Sequence, residues 1–139
     1  MKNILFVIVL MISATVVFAQ KDVPQAVKTA FAQKFPNVKV GKWDKEKDGS
    51  FEAGFDIKGK DMSANFSATG DWLETETEIK KSEIPQAVLT AFYAKFSQIK
   101  IKEACKIEFP SKPIQYELEY RKGVKTMEAM FDADGKMLE

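Results

Sequence analysis

Val23-Pro24-Gln25-Ala26-Val27-Lys28-Thr29-Ala30-Phe31-Ala32-Gln33-Lys34-Phe35 returns 61 residues later as Ile84-Pro85-Gln86-Ala87-Val88-Leu89-Thr90-Ala91-Phe92-Tyr93-Ala94-Lys95-Phe96, with nine of 13 positions identical. A segment recurring at that spacing marks one structural unit written twice, and it governs the reading of every element around it. Each copy has the pattern of a helix, the first from about Pro24 to Phe35. Proline suits the first turn, where its missing N–H costs nothing. Val23, Val27, Ala30, Phe31 and Phe35 fall on one apolar stripe, and Lys28, Gln33 and Lys34 face away. Ile84, Val88, Ala91, Phe92 and Phe96 repeat that stripe. Asp22 and Gln25 stand at capping-box spacing, and Pro36-Asn37 stops the first helix.

After each helix the period changes from 3.6 to 2. Val38 and Val40 alternate with Lys39 and Gly41, and Ile99 and Ile101 match them in the second copy. Phe51, Ala53, Phe55 and Ile57 alternate with Glu52, Gly54 and Asp56, the pattern of a half-buried strand. Met62, Ala64 and Phe66, then Leu73, Thr75, Thr77 and Ile79, continue the alternation, with turns at Asp48-Gly49, Gly59 and Thr69-Gly70. In the second copy the offset grows from 61 to 65, which places four extra residues in a loop near Phe109-Pro110-Ser111-Lys112-Pro113. Tyr116, Leu118 and Tyr120 then match Phe51, Ala53 and Phe55, and Met127 to Glu139 match Met62 to Glu74. Nothing in the sequence corresponds to Thr75–Ile79, so a shorter last strand is expected.

The fold class predicted is α+β: a tandem repeat, about 22–79 and 83–139, of a helix plus a four-stranded antiparallel meander. The two units are expected to join edge to edge in one curved sheet with both helices on one side, leaving the other face to water. Together they form a single domain over residues 20–139, which is 120 residues and long enough to bury a core.

Residues 1–19 read as a cleaved signal peptide: Lys2, an apolar run from Ile4 to Val17, and Val17-Phe18-Ala19 before the cut. The run also approaches bilayer-spanning length, so a retained anchor is the competing reading. Export points to a periplasmic or secreted protein with no stable membrane insertion after cleavage. The chain carries 21 Lys+Arg against 20 Asp+Glu, and loss of Lys2 makes the exported form neutral. That balance gives no reason to expect nucleic acid as a partner. Histidine is absent and Cys105 is the only cysteine, which excludes Ser-His-Asp and Cys-His nucleophile systems, His-based zinc sites and an internal disulfide. Cys105 reads as a buried small hydrophobe, with a reactive thiol as the alternative. No enzymatic activity, metal or cofactor is expected.

Parity assigns the solvent face of the sheet. In the first unit it is predicted to hold Trp43, Glu52, Asp56, Asp61, Ser63, Asn65, Trp72, Glu74, Glu76 and Glu78. In the second it is predicted to hold Glu117, Glu119, Arg121, Thr126, Glu128 and Met130. Exposed tryptophan beside charge is the composition of a binding hot spot. The competing reading folds Trp43 and Trp72 over the core edges, since one bulge would turn either inward. Asp132-Ala133-Asp134-Gly135 resembles the opening of a calcium loop, yet no Glu follows at the twelfth position, and a hairpin turn fits better. Glu74, Glu76 and Glu78 admit acid–base chemistry only with a pocket and a perturbed pKa; a solvated strand face is the simpler reading.

The Pro-Gln-Ala-Val…Ala-Phe…Lys-Phe helix, the aromatic-Glu strand and the ending Phe131-Asp132-Ala133-Asp134-Gly135-Lys136-Met137-Leu138 resemble the PepSY-like family of small secreted bacterial proteins, whose fold is similar to that of beta-lactamase inhibitor protein. The Ala19-Gln20 junction resembles signal peptides of Bacteroidetes. The resemblance implies a concave sheet, no enzymatic activity, and by fold analogy an inhibitor or chaperone role. The expected function is a non-enzymatic binding module that holds a protein or peptide of the cell envelope on the concave sheet face. A periplasmic small-ligand or cation carrier is the alternative. A homodimer through free sheet edges is also possible.

Overall fold

The computed structural model describes residues 22–138, so the predicted signal segment lies outside the described residues. Two compact units are present, one of residues 22–77 with 108–112, the other of 78–107 with 113–138. The first contains helix α1 (Gln25–Lys34) and strands β1 (Lys42–Lys45), β2 (Phe51–Ile57), β3 (Lys60–Phe66) and β4 (Trp72–Glu78). The second contains a 3-10 turn (Lys81–Glu83), helix α2 (Gln86–Lys95) and strands β5 (Ile101–Glu108), β6 (Gln115–Lys122) and β7 (Lys125–Asp132). In the first unit β1, β2, β3 and β4 pair as an antiparallel meander. In the second, β5, β6 and β7 do the same. The predicted fourth strand of the second repeat is reduced to a bridge between Phe131 and Met137, extended by one hydrogen bond from the Leu138 N–H to the Met130 carbonyl.

Each helix covers one face of its own meander, with the predicted stripe inward. Val23, Val27 and Phe31 are buried in the first core, and Ile84, Val88 and Phe92 in the second. Phe31 meets Phe55 and Phe66 edge-on at centroid distances of 5.1 and 6.3 Å, and Phe92 meets Tyr120 and Phe131 at 5.5 and 6.4 Å. The same aromatic nucleus is therefore built twice from equivalent positions. Asp22 forms no capping box with Gln25. Pro24 itself takes the N-cap position without a side-chain hydrogen bond, and Gln25 Nε2 donates to Thr29 Oγ1 instead.

The glycine that recurs after the third strand of each repeat has a packing cause. Gly70 and Gly135, each in a turn after the third strand of its repeat, adopt φ of +93° and +83°. A methyl group on either would lie 2.8 Å from the Ala26 carbonyl oxygen or 2.5 Å from that of Ala87. Each turn thus rests on the first turn of its helix, with room for neither a side chain on the glycine nor a displaced helix. Asp132 Oδ1 accepts from the N–H groups of Asp134 and Lys136, so the carboxylate that suggested a calcium ligand closes a hairpin turn.

Candidate functional site: the outer sheet faces

Side chains of directly paired residues in an antiparallel ladder share a face. Ala53, Ala64 and Thr75 are buried beneath α1 and paired in sequence across β2, β3 and β4. Their neighbours must then face outward. One outward row runs Asp44, Glu52, Asn65, Glu74 across all four strands. A second runs Lys42, Gly54, Ser63, Glu76, and beyond it Asp56 stands opposite Asp61. Glu78 is exposed at the end of β4. In the second unit Leu118 and Ala129 are buried, so the outward rows are Glu103, Glu119, Glu128 and Cys105, Glu117, Met130, with Arg121 opposite Thr126.

Both tryptophans leave the predicted face. Trp43 is 4% exposed, pairs with Ala53, and stacks edge-on against Phe31 at 5.8 Å. The alternation that begins at Val38 is reset at Gly41. Gly41 N–H donates to the Gly54 carbonyl while Lys42 is also Gly54's ladder partner, so two residues oppose one. Lys42 consequently points out and binds Asp44 at 2.8 Å. Trp72 is turned by the second irregularity: Asn65 pairs with Glu74 and Phe66 with Trp72, leaving Leu73 extra. The Trp72 ring packs against the first core, its Nε1–H donates to Thr75 Oγ1, and Lys34 Nζ sits 3.2 Å from the ring centroid. Cys105 is also displaced from its expected place. It is half-buried and faces outward opposite Glu117 rather than lying in the core. Asp44, Glu103 and Lys42 belong to the outer faces and were not predicted there.

What remains is acidic. Asp44 faces Glu52, and Glu103 and Glu128 both face Glu119, like charges directly opposite one another. Burial pushes the Glu52 carboxyl above its ordinary range, and Glu46, Asp44 and Glu74 add to the rise while a hydrogen bond from Ser63 opposes it. Burial followed by the charge on Glu119 raises Glu128 in the same way. Partial relief comes from Lys102, 2.8 Å from Glu119, and from Asn65 Nδ2, which donates to Glu74 Oε1 at 3.1 Å. Among the described residues no group of three or more His, Cys, Asp and Glu side chains is placed to hold a metal ion.

Comparison with known proteins agrees with this architecture. The family described as “Putative beta-lactamase-inhibitor-like, PepSY-like” matches residues 11–62 and 48–139. A beta-lactamase-inhibitor-protein-like protein of Bacteroides fragilis is 28% identical, with a TM-score of 0.69 over 84% of each chain. A protein of Bacteroides eggerthii, named as a candidate periplasmic protein, superimposes with a TM-score of 0.75 at 22% identity over 84% of this chain and 86% of its own. A DUF2874 family protein of Bacteroides uniformis gives the same TM-score at 21% identity, over 84% and 86%. No curated protein matches. With two overlapping matches that together span nearly all of the chain and the repeat visible in its structure, the protein belongs to the PepSY-like, beta-lactamase-inhibitor-like family.

Proposed function

We propose that the chain is an exported, non-enzymatic binding module that holds a protein or peptide bearing basic residues against the outer faces of its sheets, inhibiting or chaperoning a periplasmic or secreted partner. One observation carries this reading: each unit sets carboxylates directly opposite carboxylates on the face away from its helix, an arrangement that costs stability and does nothing for the core. A cationic partner turns that cost into attraction. The family's inhibitor-like description and the periplasmic naming of a structural relative are consistent with it. Among the described residues no helix is long and apolar enough to cross a membrane.

A pull-down from envelope extract of the source organism tests the proposal, with wild-type protein beside a Glu74→Gln/Glu76→Gln/Glu117→Gln/Glu119→Gln variant. The expected result is a protein held by the wild type in dilute buffer, lost with the variant, and released by salt as the Debye length contracts to about 3 Å near 1 M. Recovery of the same set by both baits would remove the outer faces from the account.

A further inference from the structure

The second repeat serves as an internal control for a groove of the first. At the bulge of the second repeat Lys102 and Glu119 lie side by side and are ion-paired at 2.8 Å. The equivalent positions in the first repeat are Gly41 and Gly54. Neither glycine is required by its backbone, since both lie outside the left-handed region. Neither is required by space: a Cβ on Gly54 would sit 3.9 Å from the Lys42 carbonyl oxygen, and one on Gly41 would sit 3.4 Å from that of Gly54. Glycine inside a strand such as β2 weakens it and marks a bulge or a close approach by another backbone or a ligand; the second repeat builds the same bulge with Lys102 and Glu119, so the bulge alone does not call for the glycines.

The glycine pair floors a groove bounded by Val38, Ile57 and Met62 on the core side and by Asp56 and Asp61 on the outer side. Its inner wall is an open strand edge. β1 stops pairing at Lys42–Gly54, whereas β2 continues to Ile57. Backbone groups on alternate residues point to the same edge, so Asp56, two beyond Gly54, turns its N–H and C=O to the side that β1 does not reach. In the second repeat the ladder runs one pair further, to Ile101–Tyr120, and Arg121, equally beyond it, stands where the first repeat has Asp56. Asp56 and Asp61 are opposite one another and exposed. Lys42 is already held by Asp44, while Lys39 and Lys58 line the groove together with the two aspartates.

We propose that this groove of the first repeat seats an extended segment of a partner protein, added as a short strand beside Asp56, with apolar side chains towards Val38, Ile57 and Met62 and one lysine or arginine between Asp56 and Asp61. The site goes beyond the acidic faces proposed above and stands or falls without them. Strand addition supplies main-chain hydrogen bonds, and the alternation of pockets supplies the selection. Those lysines disfavour a segment that is basic at every polar position, so a single basic residue among neutral ones fits.

The test is a titration of 15N-labelled protein lacking residues 1–19 with the capped peptide Thr-Val-Thr-Val-Lys-Val-Thr, beside the same peptide with Glu in place of Lys. Amide shifts are expected at Gly41, Gly54 and Asp56, with binding weaker by about threefold or more for the Glu peptide, the worth of one exposed ion pair. Gly41→Lys/Gly54→Glu, which installs the ion pair of the second repeat, is expected to abolish the shifts and leave Tm unchanged or raised. Three results would overturn the proposal: no shifts at millimolar peptide, equal binding by the double variant, or a double variant whose Tm falls, since the last would show that the fold needs the glycines.

Discussion

Trp43→Ala is expected to destabilise the protein by about 3–5 kcal/mol, the cost of emptying a buried aromatic site. The indole is the partner of Phe31 beneath α1 and contacts a core of Val27, Phe55 and Phe66 that has no other large side chain on β1. Chemical denaturation reads the loss as a lower midpoint at nearly constant slope. Trp43→Phe separates packing from polarity: it keeps a ring and deletes an Nε1–H that is buried without an acceptor among the described residues. That variant is expected to cost much less than the alanine. A loss below about 0.5 kcal/mol for Trp43→Ala is the size of a surface change and would return the indole to the solvent face.

The second large effect belongs to a turn. Gly135→Ala is expected to cost about 3 kcal/mol, of which the left-handed conformation accounts for about 1–2. The rest comes from a methyl placed 2.5 Å from the Ala87 oxygen and 2.8 Å from its carbonyl carbon, backbone atoms that yield only if α2 shifts. Gly123 provides the comparison. It has φ of +64° and nothing within 4 Å of a Cβ, so Gly123→Ala is expected to cost only about 1 kcal/mol. Equal losses at the two positions, measured by thermal or urea unfolding, would mean that the turn does not bear on the helix.

The elements that were legible from sequence are those whose signals are local. The stripe of Val27 and Phe31, the hairpin glycines and the offset of four residues near Pro110 each speak through a short period or a turn preference. The faces were legible only until a strand gained a residue. Because side chains alternate with period 2, the paired Gly41–Lys42 and the extra Leu73 each move everything on one side of them to the opposite face. Nothing in composition marks those two bulges. The repeat itself does hold a clue for Trp43. Trp43 aligns with Ala104, and its ladder partner Ala53 aligns with Leu118. Each directly paired position thus holds one large and one small residue, exchanged between strands, and both pairs fill the same slot under a helix. Requiring equal core volume from both repeats would have placed the indole inside. The carboxylates lie on the outer faces wherever the parity is unbroken, as at Glu52, Glu117 and Glu128. Their mutual opposition across strands depends on register, which sequence alone does not set.

If the outer faces serve a cationic partner, these carboxylates face one another at a cost the fold does not recover. Glu52 and Glu128 carry pKa values raised above the ordinary 4.5. A carboxyl raised in the folded state binds its proton earlier there than in the unfolded chain, so stability is lost as pH rises through the folded value and regained as pH falls towards 4.5. Asp48 and Asp71, lowered by hydrogen bonds from Ser50 and from Thr69 and Ser67, act oppositely, and their contribution fades only below 3.8. The range from neutral down to about pH 4.5 therefore isolates the glutamates. Thermal unfolding across that range, for wild type beside Glu52→Gln/Glu128→Gln, is the decisive measurement. The wild-type Tm is expected to rise as pH falls, and the double variant to be flatter and more stable at neutral pH by about 1 kcal/mol. A variant less stable than wild type at neutral pH, or a wild-type Tm that falls over the same range, would show that the carboxylates support the fold and would contradict that reading of their opposition.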